Sequence, residues 1–267
     1  MGKFTGVLLA SDFDETIFSQ GAVERAEYEA VLRFTQEGGI FTVSTGRSHR
    51  TFTPHRDKVP LNAPVILANG AQLFDYARGE YLVEHDVPLT AVDDLREVEE
   101  VFPTLGIEVY HGDEVWIDHP NEYTERHVQK VGTPYERAEL DAMPQPWSKA
   151  ILQDDPALLP EVEKYILSHW ADRYETVFSN PVMLEITAKG ATKGGMVLEL
   201  ARRLGIERKN VYCVGDNRND IPMLAVSAIP FAPGNCAPAV REWGARIVAP
   251  CGKGCFPEII DILDKLY

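Results

Sequence analysis

The sequence lacks the features of a secreted, membrane-bound or nucleic-acid-binding protein. Its first apolar run, Val7 to Ala10, soon meets acidic residues and is too short for a signal peptide or a membrane-spanning helix. Basic residues are scarce, with 26 Lys and Arg against 41 Asp and Glu and a formal net charge of -15. That charge opposes attraction to nucleic acid or to an anionic membrane. We therefore expect a cytoplasmic protein with neither as a partner.

Cysteine is also scarce, and its positions exclude a common type of metal site. The cysteines lie in the last quarter of the chain, without the paired short spacings of a zinc site: Cys213, Cys236, Cys251 and Cys255. The last two have a three-residue spacer, which departs from the C-x-x-C redox pattern. Reduced, structural thiols are the expectation. The G-x-x-x-x-G-K-[ST] pattern of an ATP-binding loop is absent as well.

What is present is a core-sized apolar fraction arranged in alternating strand and helix patterns. Hydrophobic residues make up 45% of the 267 positions, enough for a large domain or for a main domain with an insertion. Predicted strands cover residues 7–10, 40–44, 65–68, 211–214, 228–231 and 246–248, and predicted helices cover 22–36 and 193–204. This alternation predicts an α/β fold with a parallel sheet and helices on both faces.

The middle of the chain has strand and helix candidates of its own. Predicted helices cover residues 92–101 and 158–170, and predicted strands cover 107–110, 115–117, 149–152, 175–178 and 183–186. The simplest interpretation is an α/β cap domain over residues 85–187, inserted into a core formed by residues 1–84 and 188–267. The sequence does not indicate the oligomeric state.

Two acidic clusters follow apolar strands. Asp12 and Asp14 come after the first strand, where an extended backbone would turn both side chains to the same side of the sheet. Two carboxylates so close require a cation or a proton between them. Oxygen ligands beside a phosphate favour Mg²⁺. Asp216 and Asp220 follow a later strand and provide further carboxylates.

The order of these acidic clusters along the chain resembles that in the haloacid dehalogenase (HAD) superfamily. The resemblance is specifically to its Cof-like phosphatases, which have a Rossmann-like core and a type C2 α/β cap. The family's D-x-D-x-T motif is met at residues 12–16 and its G-D-x-x-N-D motif at 215–220. Between them, Thr45 follows the second strand and Lys193 opens the helix after the cap. Each motif alone is weak, but all four in order at element boundaries make a strong signal.

The resemblance implies a Mg²⁺-dependent phosphatase that hydrolyses small phosphomonoesters, with sugar phosphates as the first candidates, through an aspartyl-phosphate. Asp12 would be the nucleophile and Asp14 the general acid and base, while Thr45 and Lys193 would hold phosphoryl oxygens. Three more residues are candidates for substrate binding: Gly46, Arg47 and Asn69. The implied metal site comprises Asp12, Asp14 through its carbonyl, Asp216, Asn219 and Asp220.

Some alternatives stay open on sequence alone. A phosphomannomutase-like phosphotransferase would pass the phosphoryl group to a sugar, and a sugar-phosphate or nucleotide sensor would bind without turnover. An intact set of nucleophile, acid and lysine disfavours the sensor. For Arg47, a surface ion pair is nearly as well supported as a contact with substrate. Glu15 replaces the Gly usual in the first motif and is expected to crowd the loop or shift the local potential, which affects rate more than reaction type.

Overall fold

The chain divides into two units in the computed structural model, which describes residues 2–267. The first unit comprises the residues up to Arg47, Phe52–Val83 and Thr192–Tyr267. The second comprises Ser48–Thr51 and Glu84–Ala191. The first unit is therefore assembled from both ends of the chain.

Strands and helices alternate along most of the described sequence. The strands are β1 (Leu8–Ser11), β2 (Ile40–Val43), β3 (Val65–Leu67), β4 (Gln72–Asp75), β5 (Glu80–Glu84), β6 (Gly106–His111), β7 (Glu114–Asp118), β8 (Glu136–Arg137), β9 (Lys149–Gln153), β10 (Tyr174–Asn180), β11 (Met183–Ala188), β12 (Val211–Val214), β13 (Pro230–Pro233) and β14 (Arg246–Val248). The helices are α1 (Arg25–Gln36), α2 (His49–Phe52), α3 (Ala91–Val101), α4 (Glu122–Val131), α5 (Leu159–Trp170), α6 (Lys193–Leu204), α7 (Ile221–Leu224), α8 (Pro238–Trp243) and α9 (Cys255–Leu263).

A parallel sheet organises the first unit. Over the described residues it has five strands in the order β14, β13, β12, β1, β2. At the end of β1, Ser11 is in register with Val43 of β2 on one side and with Val214 of β12 on the other. The chain thus leaves β1 in one direction and returns on its other side. Such a reversal of strand order forms a crevice at the carboxyl ends of the strands, where α/β proteins bind ligands.

Helices cover both faces of this sheet, as the sequence predicted. Leu8 and Ala10 of β1 pack into one apolar cluster with α6, α7 and α8, whereas Leu9 packs into another with α1 and α9. Alternate side chains of a strand point to opposite faces, so β1 is buried on both. This explains why its sequence is a continuous apolar run.

The strand β3 departs from the expected pattern. It pairs antiparallel with β4, and with β5 these strands form a separate three-stranded sheet within residues 2–267. Only an isolated parallel bridge between Ser44 and Ile66 connects β3 to the end of β2 in the described chain. The cause is a tight turn over Ala68–Gly70, left-handed at Asn69, which leads directly into β4 instead of into a crossover helix.

The second unit is the inserted α/β layer that the sequence predicted. Within the described residues its sheet has six strands in the order β10, β11, β9, β6, β7, β8, antiparallel in the core of the sheet and parallel between β7 and β8. Leu95 of α3 and Ile166 of α5 pack into an apolar cluster with Ile107 of β6. Val128 of α4 joins a second cluster with Tyr110, which points to the opposite face of the same strand.

Helix boundaries follow local capping signals. The helix α6 begins at Lys193, as predicted, because the side chain of Thr192 accepts a backbone hydrogen bond in the first turn, and it ends at the left-handed Gly205. The helix α4 was missed by the sequence analysis, although Asn121 caps its start and Gly132 its end. Its sequence is mostly polar, so no apolar stripe revealed it.

The cysteines are free thiols, in agreement with the sequence analysis. Cys213, Cys236 and Cys255 are buried and Cys251 is partly buried. Burial raises the pKa of the Cys251 thiol to about 11, so that this group stays protonated and weakly nucleophilic near neutral pH. Among residues 2–267, no helix has both the length and the apolar character that crossing a membrane requires.

A buried carboxylate connects α1 to α9. Glu27 of α1 is fully buried and accepts hydrogen bonds from the backbone N–H groups of Gly254 (2.8 Å), Cys255 (3.0 Å) and Phe256 (2.7 Å). N–H groups at the start of a helix have no partner within that helix. The negative charge also faces the positive end of the α9 dipole. Glu27 therefore holds α9 in place against the sheet.

We predict that Glu27→Gln lowers the free energy of unfolding by about 1.5–3 kcal/mol, because an amide loses the charge and one of the two acceptor oxygens. Glu29→Gln is the matched control, since Glu29 is exposed on the same helix and pairs with Arg25 at the surface. The control should change stability by less than about 0.5 kcal/mol. Urea unfolding followed by circular dichroism measures both, and equal effects would contradict the assigned role.

Candidate active site

The polar centre of the first unit is a buried lysine between two aspartates. Lys193 Nζ donates hydrogen bonds to Asp12 Oδ1 and Asp220 Oδ1, each at 2.6 Å, and all three side chains are buried. Asp12 follows β1, Asp220 follows β12 and Lys193 opens α6, so the three meet at the carboxyl edge of the sheet. Burial opposes the lysine's charge, but the two carboxylates outweigh it and raise the pKa of Lys193 above its ordinary value.

Asp216 completes an acidic cluster at this edge. Carboxylate oxygens of Asp12, Asp216 and Asp220 lie within 4.8 Å of one another. The hydroxyl of Thr16 donates to Asp216 Oδ1 at 3.2 Å. Burial, and then the charge of Asp220, raise the pKa of Asp216 to about 7 and raise that of Asp12 well above its usual range. Three carboxylates against a single lysine leave an excess of negative charge, which suits a divalent cation.

Asp220 is held by the backbone as well as by the lysine. Its Oδ2 accepts hydrogen bonds from the N–H groups of Asp216 (2.9 Å) and Asn217 (3.0 Å). Gly215 makes this possible, because a Cβ atom there would lie 2.4 Å from Asp220 Cβ. Both oxygens of Asp220 thus serve in protein hydrogen bonds. Asp12 and Asp216 are accordingly better placed than Asp220 to bind a cation.

Asp14 belongs to a different group of charges. Its carboxylate is about half exposed and forms a bidentate ion pair with Arg47. The Arg47 Nε donates to Oδ2 at 2.8 Å, and Nη2 donates to Oδ1 at 2.7 Å. The backbone does not stay extended after Asp12, since the Phe13 carbonyl accepts the N–H groups of Ile17 and Phe18 in a tight loop. The ion pair that the sequence analysis weighed for Arg47 is therefore present, and its partner is the predicted acid and base.

Glu15 lies in this loop with an unusual backbone conformation. Its φ of +57° lies in the left-handed region, where glycine is favoured. Its N–H donates to the Phe18 carbonyl (2.8 Å), and its own carbonyl accepts from Asn235 Nδ2 (2.8 Å). The side chain is exposed, so it does not crowd the loop. The departure from Gly therefore acts on backbone conformation.

Three of the predicted substrate-binding residues are adjacent at the same edge. Thr45 is buried, and its carbonyl accepts the N–H of Asn69 at 3.0 Å. Gly46 approaches so closely that a Cβ atom there would lie 3.1 Å from the Asn69 amide nitrogen. Asn69 Oδ1 accepts a hydrogen bond from Asn219 Nδ2 at 3.0 Å. Asn219, expected in the metal site, is thus joined through its side chain to the Thr45 group.

Two contributions to the site were not identified from the sequence. Thr16 is the last residue of the first motif, to which the sequence analysis assigns no role, and its hydroxyl donates a hydrogen bond to Asp216. Gly70 has a φ of +101°, and a Cβ atom there would lie 2.2 Å from the backbone of Thr192. The Asn-Gly pair after the third strand was the available signal for this close approach between the β3–β4 turn and the start of α6.

Known proteins are similar to this chain in sequence and in fold. The sequence profile of the haloacid dehalogenase-like hydrolases matches residues 9–250. The pyridoxal phosphate phosphatase YbhA of Escherichia coli is 26% identical over 247 residues, which cover 88% of this chain and 90% of that protein. The chain thus aligns with a curated phosphatase over almost its whole length.

Solved structures agree at the level of the fold. A HAD superfamily phosphatase from Bacteroides thetaiotaomicron superposes with a TM-score of 0.85 at 18% identity, covering 98% of this chain and 96% of that chain. A HAD subclass IIB sugar phosphatase superposes with a TM-score of 0.81 at 21% identity, covering 97% and 98%. At such identities the likeness demonstrates a common fold with an inserted cap.

The strain at Glu15 leads to a testable prediction. We expect Glu15→Gly to raise the free energy of unfolding by about 0.5–1 kcal/mol, because relief of the left-handed conformation exceeds the entropy that glycine gains in the unfolded chain. Glu15→Ala is the control, since it removes the charge but keeps Cβ, and it should give no such gain. Thermal and urea unfolding measure the difference. Equal stability of the two variants would contradict the backbone explanation.

Proposed function

The chain belongs to the haloacid dehalogenase-like hydrolase family and is a phosphatase of small phosphomonoesters, and on this premise we propose that it acts through an aspartyl-phosphate formed on Asp12. The observation that carries the proposal is the position of Asp12 at the carboxyl end of β1, where it accepts a hydrogen bond from Lys193 and lies beside Asp216. The proposed nucleophile, the ammonium group of Lys193 and a carboxylate that can bind a metal ion are therefore adjacent.

The proposed reaction has two displacements at phosphorus. In the first, an Asp12 carboxylate oxygen bonds to phosphorus while the bond to the leaving oxygen breaks, and Asp14 gives its proton to that oxygen, releasing the alcohol. In the second, water attacks the same phosphorus, its proton passes to the Asp14 carboxylate, and the bond to Asp12 breaks to release inorganic phosphate. Each displacement is easier than direct attack by water on the ester.

Lys193 has two roles in this proposal. Burial and the charge of Asp220 both raise the pKa of Asp12, and the adjacent ammonium group counteracts part of this effect, which favours the charged form of the nucleophile. The same ammonium offsets the charge that builds up on the phosphoryl oxygens. Since the net charge of the protein is -15, a local cation is required to attract an anionic ester.

The acidic cluster fits Mg²⁺. Its donors are hard oxygens. Burial, and then the charge of Asp220, raise the pKa values of Asp12 and Asp216, and a divalent cation would offset this effect by stabilising the charged carboxylates. We assign Asp12 and Asp216 as carboxylate ligands and the backbone carbonyl of Asp14 as a third, with Asp220 holding the lysine and the loop. Bound there, Mg²⁺ would neutralise charge on the phosphoryl group.

The group at the end of β2 is the proposed phosphoryl-binding site. Thr45 would offer its hydroxyl and Gly46 its backbone N–H to phosphoryl oxygens, while Asn69, fixed by Asn219, supports both. The proposed substrates are small soluble phosphomonoesters, and sugar phosphates are the first candidates. The pyridoxal phosphate phosphatase of E. coli and the subclass IIB sugar phosphatase support testing both ester types.

We predict that Asp12→Asn lowers kcat/KM by more than about a thousandfold for every ester, because the variant lacks the nucleophile. Phosphate release from sugar phosphates, pyridoxal phosphate and p-nitrophenyl phosphate, with Mg²⁺ or with EDTA, is the measurement. EDTA should abolish release by the unmodified protein. The fold should persist, since Lys193 keeps its bond to Asp220.

Asp57→Asn is the matched control, because Asp57 is exposed and pairs with Arg56 at the surface. It should retain the activity of the unmodified protein. Activity of Asp12→Asn near that level would refute the assigned nucleophile. Absence of release from any ester with Mg²⁺ would instead favour transfer to a sugar acceptor or binding without turnover.

A further inference from the structure

The ion pair between Arg47 and Asp14 is set apart from the acidic cluster. Both oxygens of Asp14 accept hydrogen bonds from the guanidinium, at 2.7 and 2.8 Å, in the parallel geometry that makes such pairs strong. Among the residues that the structure describes, the acidic cluster around Lys193 contains Asp12, Asp216 and Asp220 but not Asp14. Arg47 therefore determines where the carboxylate of Asp14 lies.

Arg47 is itself braced by the loop that carries Asp14. Phe13 and Phe18, on either side of Asp14 in sequence, stack with centroids 4.6 Å apart and planes 12° from parallel. The Arg47 guanidinium carbon lies 5.4 Å from the Phe13 centroid and 5.9 Å from that of Phe18. Both rings are buried, so they form a rigid platform for the planar guanidinium.

The surroundings of the platform support the same pairing. His55 contacts both rings, and burial, with the charges of Arg47 and Lys58, lowers its pKa, so that it is neutral near pH 7 and does not compete for the carboxylate. Lys58 Nζ lies 4.9 Å from the Phe18 centroid. Lys58 thus contacts the ring of Phe18, whereas Arg47 forms the ion pair with Asp14.

We propose that Arg47 is the positioning residue of the general acid and base. It orients Asp14 through the bidentate ion pair, and the Phe13–Phe18 platform holds its own guanidinium in place. This rests on the proposed function, in which Asp14 protonates the leaving oxygen. In the carboxylate form Arg47 holds both oxygens.

The proposal predicts a loss that depends on the leaving group. The nitrophenolate of p-nitrophenyl phosphate departs without a proton, whereas the phenolate of phenyl phosphate, nearly the same in shape, benefits from one. A displaced Asp14 therefore penalises phenyl phosphate more. A residue that only binds the phosphoryl group would affect both esters equally, since that group is common to them.

The experiment measures kcat and KM for both esters with the unmodified protein, Arg47→Ala, Arg47→Lys and Asp14→Asn. We expect Arg47→Ala to raise the ratio of kcat/KM, p-nitrophenyl over phenyl, by about tenfold, with the change mainly in kcat. Asp14→Asn should raise the ratio at least as much. Arg47→Lys keeps the charge but cannot form the bidentate pair, so its ratio should lie between those of the unmodified protein and Arg47→Ala.

Two further variants distinguish the proposed positioning role from a general loss of folding. Phe18→Leu removes half the platform with Arg47 intact and should shift the ratio in the same direction, by less. Arg56→Ala, which removes a nearby surface arginine, should leave the ratio unchanged. An unchanged ratio in Arg47→Ala and Phe18→Leu, with Asp14→Asn shifted, would overturn the inference. Failure of the unmodified protein to hydrolyse either ester would count against the proposed function instead.

Discussion

The structure of the site depends on one buried ammonium group shared by two carboxylates. Lys193 is inaccessible to solvent and has hydrogen bonds of 2.6 Å to Asp12 and Asp220. Removing one member of a buried ion pair typically costs about 3–5 kcal/mol, because a charge remains without a partner. The positions of Asp12, Asp220 and the first turn of α6 are therefore fixed together.

That constraint explains how distant parts of the chain form one catalytic edge. The β1–β12 register brings Asp12 and Asp216 to neighbouring strand ends, and Asp220 folds back to bind the backbone of its own loop through the space left by Gly215. The arrangement concentrates negative charge beside a single cation. A divalent ion and a phosphoryl group, of opposite charges, complete such a site together.

Much of this could be predicted from sequence, for definite reasons. The strand ends before Asp12 and Asp216 are marked by continuous apolar runs, and Lys193 opens a helix that the sequence predicts, so local signals sufficed. The pairing of Arg47 with Asp14 and the contact of Asn219 with Asn69 could not be derived, because they depend on loop conformations set by tertiary contacts. The hairpin of β3 was misjudged for a similar reason, since a left-handed Asn69 decides the chain's direction.

The most direct test of the account is to trap the phosphorylated aspartate. Asp14→Asn should form the intermediate from p-nitrophenyl phosphate, whose leaving group needs no proton, but hydrolyse it slowly because no base accepts the proton of water. Rapid acid quench and peptide mass spectrometry, with Mg²⁺ present, should then show one phosphoryl group on the peptide that contains Asp12, and none in Asp12→Asn. A phosphoryl group on another residue, or continued turnover without any phosphorylated protein, would contradict the account.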